Sequence, residues 1–195
     1  MRGVWFNVFN ANCLYPHCLP IAGSGIPTWY RRHPTMTPSE REALIARYES
    51  GPDLLEAAIA EMPVEGRQWR PAPGSWSVHE VAVHCADSEA NAHMRIRFLV
   101  GEHQPVIMGY DQARWASELD YHAHPMAPAL LTVRAVRANT VPLLRRLTEA
   151  QWARVGTHSE MGTYGAESWL GIYAEHLEVH ARQVRRVIAA WRERK

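Results

Sequence analysis

The chain has 195 residues, a formal net charge of +1 and 47% hydrophobic residues. That length fits one domain with a full core, and the near-neutral charge gives no case for nucleic acid as a partner. No run approaches the roughly 18 apolar residues that a membrane span needs, and Asn7, Asn10 and Asn12 interrupt the early apolar stretch, which makes it a poor signal peptide. Three cysteines form no disulfide framework, so the expected compartment is a reducing cytoplasm. Eleven histidines are many for this length, and the question becomes which of them converge.

Residues 1–35 read as a flexible extension, with Pro16, Pro20, Pro27, Pro34, Gly23 and Gly25 and no helical period. The segment C-L-Y-P-H-C from Cys13 to Cys18 matches none of the common zinc spacings. Met36 is followed at once by T-P-S-E, a helix start with Thr37 as N-cap, Pro38 at N1 and Glu40 at N3. The folded domain is therefore placed at 36–195, with Met36 as a candidate natural start.

Helix one is expected over 38–62, with Leu44, Ile45, Tyr48, Leu55, Ala58 and Ile59 apolar and Gly51-Pro52 kinking or splitting it. Pro and Gly make 63–74 a loop. Helix two opens on a second capping box, Ser77 with Glu80, and runs to about residue 100. Val78, Val81, Cys85, Ala92, Ile96 and Leu99 form its apolar stripe, and His84, Ser88, Asn91 and Arg95 form a polar strip along one edge of it. Such a strip is either a half-solvated boundary or the wall of a pocket.

Gly101 ends helix two. Residues 102–126 form a long connection with a short helix near 111–119, a length often tied to function. Tyr110, Trp115 and Tyr121 are placed there to roof a pocket or simply to pack, and His122 and His124 read as a solvated pair. Helix three, 128–147, carries Leu130, Leu131, Val133, Val136, Val141, Leu144 and Leu147, with a kink expected at Pro142. The Gly-rich stretch 154–165 contains His158 and Glu160. Helix four starts near residue 166. At about 100° per residue, Trp169, Tyr173, Leu177, Val184, Val187 and Trp191 share one arc, with Glu175, Glu178, Arg182 and Arg185 opposite. Four long helices with little strand signal predict an all-α four-helix bundle.

His176 and His180 lie inside the apolar arc of helix four, where imidazoles are costly unless their nitrogens are satisfied. Their i, i+4 spacing makes them neighbours able to reach one metal ion. H-L-E-V-H is not the zincin H-E-x-x-H, because its acid is in the wrong place. His79 and His84, five residues apart, point about 140° apart on the wheel, and only His84 faces inward. Three inward histidines with an open position describe a catalytic rather than a structural metal site.

P-A-P-G-S-W-S-V-H-E-V-A-V-H-C-A-D-S-E, then R-I-R-F-L, T-H-S-E-M-G and Y-A-E-H-L-E-V-H-A-R-Q-V together resemble the DinB/YfiT-like superfamily over about residues 38–190. The resemblance implies a four-helix bundle with a long connection between helices two and three, and one divalent ion, zinc or nickel, on His84, His176 and His180. Cys85 replaces the Leu that often follows the first ligand, and its place in the apolar stripe makes it core rather than a fourth ligand.

The resemblance implies two chemistries: transfer of a low-molecular-weight thiol to an electrophile, taken as the leading expectation, and metal-dependent hydrolysis. An ion on three neutral imidazoles keeps most of its charge, so it would ionise a thiol or lower the pKa of water to about 7. Arg95 is then a candidate contact for a carboxylate, or else an ion pair to a helix-one or helix-two acid. Ser88 and Asn91 join it as candidate substrate contacts. His158 and Glu160 are candidates to orient a ligand or water from behind the metal ligands, or a surface turn. The expected partner is a small molecule, with no nucleic acid or membrane; a homodimer is compatible, and a non-enzymatic, stress-related bundle is the contrasting expectation.

Overall fold

Thr37 and Ser77 start their helices in the same way. Each hydroxyl accepts from the backbone N–H of the glutamate three residues on, and that glutamate accepts from the cap's own N–H. Each cap contributes about 1 kcal/mol. The computed structural model describes residues 35–194. The expectations for residues 1–34, the Cys13–Cys18 segment among them, lie outside the described residues.

In chain order the elements are α1 (Pro38–Ala60), α2 (Val78–Gly101), β1 (Val106–Ile107), α3 (Gln112–Glu118), α4 (Met126–Arg145), α5 (Glu149–Trp152), β2 (Val155–His158), β3 (Gly162–Gly165) and α6 (Ala166–Glu193). The long helices α1, α2, α4 and α6 form the bundle, α6 lying along α1 and α2 and α4 along α1 and α2. β1 pairs parallel with β2 and β2 antiparallel with β3. Gly162 takes the left-handed backbone, φ 73°, that the β2–β3 turn requires. Among the described residues no helix is long and apolar enough to cross a membrane.

Two features differ from the sequence expectation: α1 is not split at Gly51-Pro52, and short strands and a short helix are added. α1 runs unbroken through Pro52, and the reason lies in the bundle interior described below. α4, expected as one helix, also continues through its proline, Pro142. The three strands and α5 were not foreseen, because elements of two to four residues interrupted by Gly156, Gly162 and Gly165 are too short to show a period.

The apolar interior falls into two clusters. One contains Leu55, Val81, Cys85, Val133, Leu177 and Val184; the other contains Tyr48, Ile96, Val141, Leu144, Trp169 and Tyr173. On every long helix the break between them falls at the same level. At that level sit Gly51-Pro52 on α1, Ser88 and Glu89 on α2, Arg137 and Thr140 on α4 and His176 on α6, all buried. The bundle therefore has a polar layer across its middle, and the site grows from it.

Candidate metal centre

His176 and His180 project from consecutive turns of α6, with ring centroids 4.7 Å apart. His84 arrives from α2, 4.9 Å from the His180 ring and 5.8 Å from the His176 ring. One ligand-capable nitrogen from each lies within 4.8 Å of the others. All three side chains are buried, and Trp76 packs its ring 4.7 Å from His84.

Burial favours the neutral ring. It pushes His84 well below the usual imidazole range, helped by the neighbouring His180 and His176, and brings His180 down to about 3, helped by His176. His176 Nδ1 is 2.9 Å from Glu89 Oε1, and His180 Nδ1 is 2.8 Å from Gln183 Oε1. Oxygen acceptors at both positions favour a proton on Nδ1, which would leave Nε2 to face a metal. His84 Nδ1 is buried with no hydrogen-bond partner among the described residues. Such an orphan costs about 1–3 kcal/mol. Three buried imidazoles, two with an oxygen acceptor at Nδ1 and one with an orphaned Nδ1, fit a divalent ion.

Behind His176 lies an ion pair that sequence reading missed. Burial alone would raise the Glu89 carboxyl; the Arg137 guanidinium and the His176 ring outweigh it and hold the group down at about 2. The pair is fully enclosed, with Arg137 Nη2 2.6 Å from Glu89 Oε1. A signal existed: Arg137 falls at i+4 from Val133 and i−4 from Val141, inside the apolar stripe of α4. A guanidinium at such a position needs a buried partner.

One cavity opens over the three rings. Ser88, Arg95, Tyr110, Tyr173, His158 and Glu160 are among the other residues that line it. Arg95 donates from Nη1 to the Tyr173 hydroxyl at 3.0 Å and from Nη2 to the Met108 carbonyl at 2.5 Å, with its guanidinium 5.8 Å from the centre of the Tyr110 ring. None of these partners is anionic, and among the described residues no carboxylate lies within 4 Å of it. The expected alternative, an ion pair to a helix-one or helix-two acid, is not formed.

The β2–β3 turn brings His158 and Glu160 to the rim, where the Glu160 N–H donates to His158 Nδ1 at 3.1 Å. Glu160 also rests on Gly109, where a Cβ would come within 2.4 Å of its carboxylate. Asn91 is not brought to the cavity; its side chain donates to the Asp87 carbonyl instead. Cys85 lies in the core, and burial pushes its thiol well above the usual range. Glu178 pairs with Arg47 at 2.8 Å.

The family model of the DinB superfamily matches residues 47–184. The chain belongs to the DinB superfamily. Among superfamily relatives, a protein of Oceanobacillus iheyensis named "putative metal-dependent hydrolase" is 31% identical over 140 residues, 72% of this chain and 81% of the relative. YfiT of Bacillus subtilis, with the same functional name, is 25% identical over 156 residues, 80% of this chain and 88% of the relative. The solved YfiT structure superposes with a TM-score of 0.76 at 24% identity, covering 82% of this chain and 92% of that one. It is described as a "probable metal-dependent hydrolase with an unusual four-helix bundle topology", and the likeness establishes the four-helix-bundle fold of the chain.

Proposed function

We propose that this superfamily member is a metal-dependent enzyme acting on a small anionic molecule. His84, His176 and His180 hold one divalent ion, and Arg95 holds the anion. The observation that carries the reading is the convergence of three buried imidazoles under a cavity whose wall presents a guanidinium with no carboxylate within 4 Å among the described residues. Imidazole donors suit zinc and nickel. When bound, such an ion acts as a Lewis acid and eases deprotonation of a nucleophile beside it.

The chain's own groups supply position and exclusion. Arg95, fixed by Tyr173 and Met108, turns its guanidinium to a carboxylate or phosphate of the substrate. Tyr110, its ring tilted against Trp115 at 4.4 Å between centroids, forms part of the cavity lining. Glu160 and His158 offer polar contacts at the rim. The relatives' names favour water as the nucleophile and hence hydrolysis. Thiol transfer is the second reading, because Arg95 suits equally the carboxylate of a low-molecular-weight thiol.

The test combines elemental analysis with an assay on activated esters, amides and halides, run with and without small thiols. Wild type is expected to carry about one divalent ion per chain. His176→Ala is expected to lose most of it and His79→Ala to keep it; equal loss from both would refute the ligand set. Product formed without thiol supports hydrolysis, and strict thiol dependence supports transfer.

A further inference from the structure

His176 is held in place from beneath by residues of all four long helices. Glu89, on α2, is fully buried and accepts from His176 Nδ1 through Oε1. The same carboxylate takes both arms of Arg137 from α4, Nη2 to Oε1 at 2.6 Å and Nε to Oε2 at 3.0 Å. Arg137 Nη2 also donates to the Tyr173 carbonyl on α6 at 2.9 Å. Its Nη1 donates to the Tyr48 carbonyl on α1.

The α1 end of this network explains why the helix tolerates its proline. In a regular helix the Tyr48 carbonyl would accept from the N–H of residue 52. Pro52 has no N–H, so the carbonyl is released and Arg137 takes it. Gly51 leaves the room: a Cβ there would sit 2.4 Å from Arg137 Nη1 and 3.1 Å from Leu177 Cβ. The Gly-Pro pair is a notch cut to the shape of a guanidinium.

We propose that Glu89 and Arg137 are positioning residues for the metal centre, and that the Gly51-Pro52 notch of α1 exists to seat them. Glu89 fixes the tautomer and rotation of the His176 ring, so that Nε2 is directed at His84 and His180. Arg137 fixes Glu89: with both oxygens bound, the carboxylate has no freedom to turn away. The inference rests on the metal reading above and extends it to residues that never touch the ion.

The experiment titrates Co(II) into the metal-free full-length protein, reading affinity and the visible d–d spectrum, and follows thermal unfolding of the same metal-free samples. The double variant Glu89→Gln with Arg137→Met removes both buried charges together, a change that buried ion pairs often tolerate. It is expected to unfold near the wild-type temperature, to bind Co(II) about 10–100-fold more weakly and to show a shifted spectrum. Gly51→Ala alone displaces the guanidinium and is expected to weaken Co(II) binding less, with a shift in the same direction. Either variant binding Co(II) with wild-type affinity and spectrum overturns the positioning role while the metal reading stands. Wild type taking up no Co(II) overturns both.

Discussion

Two arginines grip the same tyrosine from opposite ends, and their surroundings could hardly differ more. Arg137 donates to the Tyr173 carbonyl beneath the three histidines; Arg95 donates to the Tyr173 hydroxyl in the cavity above them. Arg137 is 1% exposed and neutralised by Glu89 through two hydrogen bonds. Arg95 is half-buried and contacts a hydroxyl, a carbonyl and the ring of Tyr110, with no carboxylate within 4 Å among the described residues. The lower region is electrostatically complete, as a scaffold for a ligand ring must be. In the upper region Arg95 shares a cavity lining with Glu160 but has no carboxylate within 4 Å among the described residues, which is what the anion-binding role proposed for it requires.

The largest effect should come from breaking the completed region. Arg137→Met leaves the Glu89 charge buried without its partner and is expected to cost about 3–5 kcal/mol, read from the urea midpoint. Arg95→Met strands no acid and is expected to stay within about 1 kcal/mol of wild type in the same titration. Equal losses would erase the distinction between the two regions.

Arg95→Met should instead show its effect in binding. Small carboxylates or phosphates that compete for the cavity are expected to bind about 10-fold more weakly or worse, the equivalent of the roughly 1.5–3 kcal/mol of a charge-assisted hydrogen bond. Co(II) affinity should not move. A competitor indifferent to the substitution would remove the anion role from Arg95.

The smallest effect concerns a third pair, Glu80 and Arg70 at the start of α2, where the arginine is half-exposed. Burial would raise the Glu80 carboxyl, but the Arg70 hydrogen bond and the Ser77 N–H win and lower it below 4.5. The folded state thus binds the proton less tightly than the unfolded chain. The contribution is complete above pH 4.5 and is lost as pH falls through the lowered value. With its partner solvated, it is worth less than about 1 kcal/mol. Glu80→Gln is expected to flatten the stability curve slightly below pH 4.5 and leave Co(II) binding alone; a steeper curve would reverse the sign argued here.

Much of the scaffold was legible residue by residue. The capping boxes at Thr37 and Ser77, the stripes of α2 and α6 and the inward turn of His84, His176 and His180 all follow from local spacing. The Arg137 anomaly was equally visible in the α4 stripe, yet nothing local could name its partner. Glu89 is 48 residues away and Tyr48 is 89. The split weighed at Gly51-Pro52 does not occur for the same reason: the group that takes up the freed Tyr48 carbonyl comes from another helix.

By itself the sequence determined which segments become helices, where they begin and which side chains each turns inward, because helix periodicity and capping act within a few residues. Only the tertiary structure decided that α2 meets α6 at the level of its histidine, that Glu89 finds Arg137, and that Arg95 forms no ion pair among the described residues. Those outcomes depend on how packed helices are rotated and slid against one another. That choice is made by ridges, notches and buried charge across the whole bundle, and no local window of sequence contains it.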